Sequence, residues 1–247
     1  MATSLSDIYN NNQRFQSSFY ESKLTSQELV IQQFTLGVFG FEQSGKSTLI
    51  NRFKNYILII DEDSGALTFK RFQIQTNLGT FTIKSIEFPD KQYVFNQKDL
   101  DAYNQQMKNI QIAIILFDHT SIKSLQESTK IMDEIKKQRK EMPIIVAGNK
   151  IDSFQRTISK PQLKEQNIDE IQNYFDISAI SNYNLEKMFT KMLRILAQNE
   201  EIVLISEANF KQHEIHVDPK VYQQMELEEK FKQQLLQADD RTQNQHF

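Results

Sequence analysis

The chain of 247 residues has no cysteine. That excludes disulfides, thiolate metal sites, palmitoylation and a C-terminal prenyl anchor. The start, Met1-Ala2-Thr3-Ser4, carries no basic stretch leading into a long apolar core, so no secretory leader is expected. Position 2 is not glycine, so no myristate is expected. No apolar run reaches membrane-spanning length. The expectation is a soluble, intracellular protein without a membrane anchor. Net charge is small, −3 with a pI near 5.9, so there is no general pull toward nucleic acid. Glycine is scarce: six residues in all, and two of them, Gly40 and Gly45, stand close together in one short stretch. The length suits one domain with appendages, or at most two domains.

That stretch is Gly40-Phe41-Glu42-Gln43-Ser44-Gly45-Lys46-Ser47, which fits the phosphate-loop pattern G-x-x-x-x-G-K-[ST]. A loop that wraps a polyphosphate must turn sharply to aim successive backbone N–H groups inward, and glycine makes such turns at least cost. Lys46 places a cation on the outer phosphates. The Ser47 hydroxyl can fill one position on Mg²⁺. The phosphate set read from the motif is Gly40, Glu42, Gln43, Ser44, Gly45, Lys46, Ser47 and Thr48. Its flanks suit the motif: Phe34–Phe39 reads as a buried strand, and Ser47–Phe53 opens a helix whose N-terminus would face the anion.

Residues 1–33 are polar, with Asn10-Asn11-Asn12 and few apolar positions before Leu29, and read as a disordered extension with a possible short helix at 26–33. Asn55–Ile60 is followed by an acidic loop, Asp61–Gly65. Phe69–Gln75 and Thr80–Glu87 flank the turn Asn77-Leu78-Gly79, an antiparallel hairpin, and Phe88-Pro89-Asp90 ends the second strand. Asp99–Lys108 suits a short helix. Ile112–Phe117, ending at Asp118, is a continuous apolar run of the kind found in central strands. Ser124–Glu141 is helical, with Leu125, Ile131 and Ile135 inward. Its Lys136–Lys140 run reads as a solvated helix end, where cations are favoured. Pro143–Gly148 and Tyr174–Ser178 are further strands, and Leu185–Ala197 is amphipathic. Alternating strands and helices predict an α/β fold: a mostly parallel six-stranded sheet with one antiparallel edge hairpin and helices on both faces. Ile202–Ile205 is a short extended piece, followed by a linker to Val217. Asp218-Pro219 then begins a helix to about Gln237, with Val221, Met225, Phe231 and Leu235 as a stripe interrupted by Glu228. The resulting division is an extension at 1–33, a nucleotide domain at 34–198, and a linker with C-terminal helix at 199–247.

Asn149-Lys150-Ile151-Asp152 follows the Ile144–Val146 strand segment. Guanine offers N–H donors at its Watson–Crick edge, and the Asp152 carboxylate can accept two of them, a contact adenine cannot copy. Asn149 can reach the other edge of the base, and the Lys150 stem can cover its face. Ser178-Ala179-Ile180 ends the next strand, where a backbone N–H can meet the guanine carbonyl oxygen. His213 and His216 lack companion ligands and read as surface linker. Asp61, Glu62 and Asp63 read as a solvated loop.

These residues resemble the Ras-like small GTPases, and more closely their Ran branch. The resemblance runs over about residues 34–237. It is carried by Phe34–Ser47, Ile114–Ser121, Pro143–Asp152, the Tyr174–Lys187 block and the placement of the C-terminal helix. It implies a P-loop G domain that binds GTP or GDP with Mg²⁺ and cleaves GTP to GDP and phosphate. It also implies a monomeric switch in nucleocytoplasmic transport, found in nucleus and cytoplasm. The implied partners are importin- and exportin-type receptors, an exchange factor and an activating protein. The C-terminal helix would dock in the GDP form and leave in the GTP form.

The departures are local. The family carries D-T-A-G-Q after the hairpin's second strand; here the chain reads Glu87-Phe88-Pro89-Asp90-Lys91-Gln92. Glu87, or Asp90 in a shifted alignment, would serve the metal, with Ser64 or Thr68 in place of the usual threonine. Gln92 would replace the water-orienting Gln only in a reshaped loop. Ile180 stands where the family has Lys. Lys164–Asp169 replaces the branch's basic run, and Asp239-Asp240 followed by Arg241 replaces its acidic terminus. Holding GDP needs the phosphate loop and the base contacts, whereas sensing and cleaving the last phosphate needs the switches. The expectation is nucleotide binding with slow or absent hydrolysis. The alternative is a pseudo-GTPase scaffold that holds nucleotide constitutively, or none. A vesicle-traffic GTPase is disfavoured by the absent cysteines, and an adenine-nucleotide enzyme by Asp152.

Overall fold

The computed structural model describes residues 32–59, 67–89, 97–168 and 171–212, together with 220–221, 223–228 and 230. Strands β1 (Gln33–Gly40), β2 (Ile57–Ile59), β3 (Thr68–Thr76), β4 (Gly79–Glu87), β5 (Ile112–Asp118), β6 (Ile144–Asn149) and β7 (Tyr174–Asp176) form one sheet in the order β2-β3-β4-β1-β5-β6-β7. From β4 to β7 every neighbouring pair is parallel, and β2-β3-β4 is antiparallel. The sheet therefore has seven strands, where sequence patterning predicts six. The addition is β2, three residues with exposed Ile57 and Leu58 at the sheet edge. So short a strand shows no alternation of its own, and its pairing to β3 defines it.

The helices are α1 (Lys46–Asn51), α2 (Gln97–Asn109), α3 (Ile122–Gln138), α4 (Lys160–Glu165), α5 (Leu185–Ala197) and α6 (Ser206–Asn209). One face of the sheet buries Leu49 and Ile50 of α1 against Leu185, Met188, Phe189, Met192 and Leu193 of α5. The spacing of those α5 residues is that of a single helical stripe. Phe53 anchors this layer, with ring centroids 4.0 Å from Phe72 and 4.8 Å from Phe189. The other face buries residues of α2, α3 and α4. Helix α3 starts at Ile122, ahead of the expected Ser124, because the Ser121 side chain accepts the Ser124 N–H and caps the first turn. Residues 202–210, which read as an extended piece and linker, contribute Ile202, Leu204 and Phe210 to the core and include α6. Phe210 sits 4.9 Å from Phe53. Arg52, itself buried, donates to the carbonyls of Lys211 and Gln212 at 2.8 Å and pins the chain as it leaves.

Residues 220–221, 223–228 and 230 are helical. Val221 and Met225 are buried against Ile151 and Tyr183, and the Tyr183 hydroxyl donates to the Met225 carbonyl at 3.0 Å. Glu228, the polar break in the stripe, faces Arg156 at 3.3 Å. Of the expected extension at 1–33, Gln33 already belongs to β1. Residues 1–31, the loop Asp61–Gly65, His213 and His216, Asp218-Pro219, and the helix beyond 230 lie outside the described residues.

Candidate functional site

The carboxyl ends of β1, β4, β5, β6 and β7 meet at one rim, where ligands bind on sheets of this kind. A cavity of about 720 Å³ opens there, lined by Gln43, Gly45–Thr48, Glu87, Asn149, Lys150, Asp152–Gln155, Ala179 and Ile180. Two motifs a hundred residues apart thus form one site. Of the expected phosphate set, Gln43, Gly45, Lys46, Ser47 and Thr48 line this cavity, whereas Gly40, Glu42 and Ser44 do not. Gly40 makes the turn at φ 141°, with no room for a side chain: a Cβ there would run into the Leu116 carbonyl and Ser44 Oγ. Ser44 is fully buried, and its carbonyl accepts from Asn149 Nδ2 at 2.8 Å. Glu42 is exposed. Lys46 Nζ folds over the loop and donates to the Gly40 carbonyl at 2.8 Å.

At the base end Asn149 is 2 % exposed and lines the cavity. Its Nδ2 holds the phosphate loop, and its Oδ1 accepts the Ala179 N–H at 2.9 Å. Sequence reasoning aims Asn149 at the base; the structure adds that it clamps the phosphate loop to the Ala179 loop. Gly45 sits at φ 98°, and a Cβ there would collide with that same Asn149 amide. Lys150, held at φ 64°, pairs with Asp118 Oδ2 at 2.7 Å. Ser178 is buried behind the rim, with its N–H given to the Tyr183 carbonyl at 3.2 Å, while Ala179 and Ile180 reach the cavity. Asp152 lines the cavity, and its Oδ1 is buried with no hydrogen-bond partner among the described residues. A buried acceptor without a partner costs free energy unless a ligand donor supplies one. Guanine N–H groups would do so.

At the phosphate end the Ser47 hydroxyl donates to Glu87 Oε1, and Glu87 lines the cavity. Thr68 stands directly opposite Glu87 in the β3–β4 register, so of the expected metal partners these two adjoin. Asp90, Ser64 and the catalytic candidate Gln92 lie outside the described residues. Hydroxyl and carboxylate oxygens suit a hard cation such as Mg²⁺. The glycine turns and the unpartnered Asp152 oxygen suit a guanosine polyphosphate.

Two groups escape a reading by motif. Asp118 ends β5 and anchors Lys150 across the sheet. Burial pushes its carboxyl upward, but the Lys150 ammonium and the Thr120 N–H and hydroxyl outweigh this and hold it below the ordinary carboxylate value. A depressed value means the pair stabilises the fold above the unfolded value near pH ~4, and that contribution is lost as pH falls through the lower folded value. The stability gap between wild type and Asp118→Asn, read by thermal unfolding, should therefore be constant near neutrality and shrink in acid. His119 is 3 % exposed, with Nε2 2.8 Å from Asp176 Oδ1, and the Tyr174 hydroxyl donates to the same carboxylate. This cluster packs against Gly148, which has no space for a Cβ. It ties the end of β5 to β7.

A family model described as Ras family matches residues 36–198. The match spans the sheet from β1 to β7, both nucleotide motifs and α5. Members of that family are GTPases that bind GTP and GDP with Mg²⁺. With that match laid over a mostly parallel sheet whose rim joins a phosphate loop to a guanine-type contact set, the chain belongs to the Ras family of small GTP-binding proteins.

Proposed function

We propose that this chain holds guanine nucleotide tightly, turns GTP over slowly or not at all, and serves as a Ran-type switch in nucleocytoplasmic transport. One observation carries the binding part: a single cavity collects Lys46, Ser47 and the unpartnered Asp152 oxygen. Lys46 would hold the outer phosphates, Asp152 the Watson–Crick edge, and the Ala179–Ile180 turn the carbonyl edge. Ser47 and Glu87 would hold Mg²⁺, which when bound neutralises phosphate charge.

Slow turnover is supported by the residues after Glu87. The chain reads Phe88-Pro89-Asp90, with no glycine to offer an N–H to the last phosphate. Phe88 is 1 % exposed and stacks on Phe39 at 4.3 Å, so its side chain is held in the core, and neither Phe88 nor Pro89 lines the cavity. The Ran-type placement is supported by the Tyr174–Lys187 block and by a C-terminal helix seated on Ile151 of the guanine motif. The partners proposed with it are importin- and exportin-type receptors, an exchange factor and an activating protein, met in nucleus and cytoplasm. A second reading, a scaffold that holds one nucleotide without switching, is favoured by the same Phe88 anchoring.

Chromatography of the denatured purified protein is expected to release GDP or GTP. Single-turnover hydrolysis is expected to fall below the ~3 × 10⁻⁴ s⁻¹ of an ordinary family member. A rate at or above that value removes the slow-turnover reading. Receptor capture that differs between GDP- and GTP-loaded protein separates switch from scaffold.

A further inference from the structure

The carboxylate at the phosphate end already has a cation. On β3, Lys70 stands opposite Ser85 of β4, and Glu87 is two residues further along β4 on the same face. A long side chain spans that diagonal. Lys70 Nζ lies 3.3 Å from Glu87 Oε2, with 8 % of the lysine side chain and 15 % of the glutamate side chain exposed. Ser47 holds the other oxygen, Oε1. Glu87 is therefore bridged between a hydroxyl of the phosphate loop and a buried ammonium.

Nothing in the sheet calls for a lysine here. Lys70 continues a column whose next members on that face are Phe72 and Ile74, both fully or almost fully buried. Strand alternation leads one to expect an apolar residue at such a position. A buried ammonium is costly unless paired, and its partner is the carboxylate that would serve the metal.

We propose that Lys70 is a built-in rival of the divalent cation at Glu87, so that this chain retains guanine nucleotide with little dependence on Mg²⁺. The proposal rests on the guanine-nucleotide reading of the cavity. Mg²⁺ demands near-ideal oxygen geometry and gives up water reluctantly. While Lys70 keeps Glu87, the metal lacks that carboxylate's charge. If Glu87 turns to the metal, the ammonium is left buried beside a second cation and without its partner. Both routes weaken the metal, whereas Lys46 and the Asp152 contact hold the nucleotide without it.

The test is GDP binding to the full chain by calorimetry, in excess MgCl₂ and in excess EDTA, for wild type and Lys70→Met. Methionine keeps the stem and removes the charge. Wild-type affinity should differ less than about tenfold between the two buffers, and the variant's by about 100-fold or more. Titration of MgCl₂ into the GDP-loaded proteins should show tighter uptake by the variant. A wild type that loses about 100-fold in EDTA overturns the proposal without any variant, as does a folded variant with wild-type Mg²⁺ dependence. Absence of GDP binding in both buffers overturns the guanine reading itself, and this proposal with it.

Discussion

Replacing Asp152 with alanine is expected to weaken GDP binding by about 100-fold or more, because each hydrogen bond to a charged acceptor contributes about 1.5–3 kcal/mol and the carboxylate can take two from guanine. The same change should barely move the unfolding temperature. The Oδ1 atom has no partner among the described residues, so truncation strands no donor among them. Selectivity is the sharper readout. Wild type should prefer GDP strongly over ADP, and the variant should lose most of that preference, since the phosphate contacts through Lys46 and Ser47 are common to both ligands. Calorimetric titration with each nucleotide checks this. A variant that still discriminates between the two would place guanine recognition elsewhere.

Gly45→Ala is expected to remove nucleotide binding and to destabilise the domain together. Its φ of 98° alone costs a side chain about 1–2 kcal/mol. The new Cβ would also displace the Asn149 amide, whose two hydrogen bonds, to the Ser44 carbonyl at 2.8 Å and from the Ala179 N–H at 2.9 Å, join the phosphate loop to both base loops. Losing these buried bonds adds about 1–3 kcal/mol. A total of about 3 kcal/mol corresponds to a drop of roughly 6–12 °C in melting temperature for a domain of this size. Differential scanning calorimetry measures the drop directly. If binding is lost while stability is unchanged, the clamp through Asn149 is not what couples the loops.

Much of this architecture is legible locally. The all-apolar run at 112–117, the turn Asn77-Leu78-Gly79 and the stripe from Leu185 to Leu193 each announce their element, because burial on two faces, hairpin chemistry and helical spacing leave marks within a few residues. What escapes has no such mark. Strand β2 depends on an edge to pair with, and Phe210 on the pocket left by Phe53 and Phe189. Glu228 looks like a fault in an apolar stripe until Arg156 is found facing it. In the site, both motifs are legible as motifs, but the division of labour inside them is not. Asn149 reads as a base contact and is also a loop clamp, and the Ser44 carbonyl, unmarked in the motif, is the buried acceptor for that clamp.

The amino-acid order alone determined the two nucleotide-gripping motifs and the strand–loop–helix setting of the first, because each is a local device whose chemistry depends on spacing over fewer than ten residues or so. Tertiary structure decided which groups face which. Antiparallel β3–β4 register brings Lys70 to Glu87, the parallel order β5-β6 brings Asp118 to Lys150, and the seat of the C-terminal helix brings Met225 to Ile151. Side chains far apart along the chain meet only when sheet order and register set their positions. For that reason the pairing of Lys70 with Glu87 belongs to the fold.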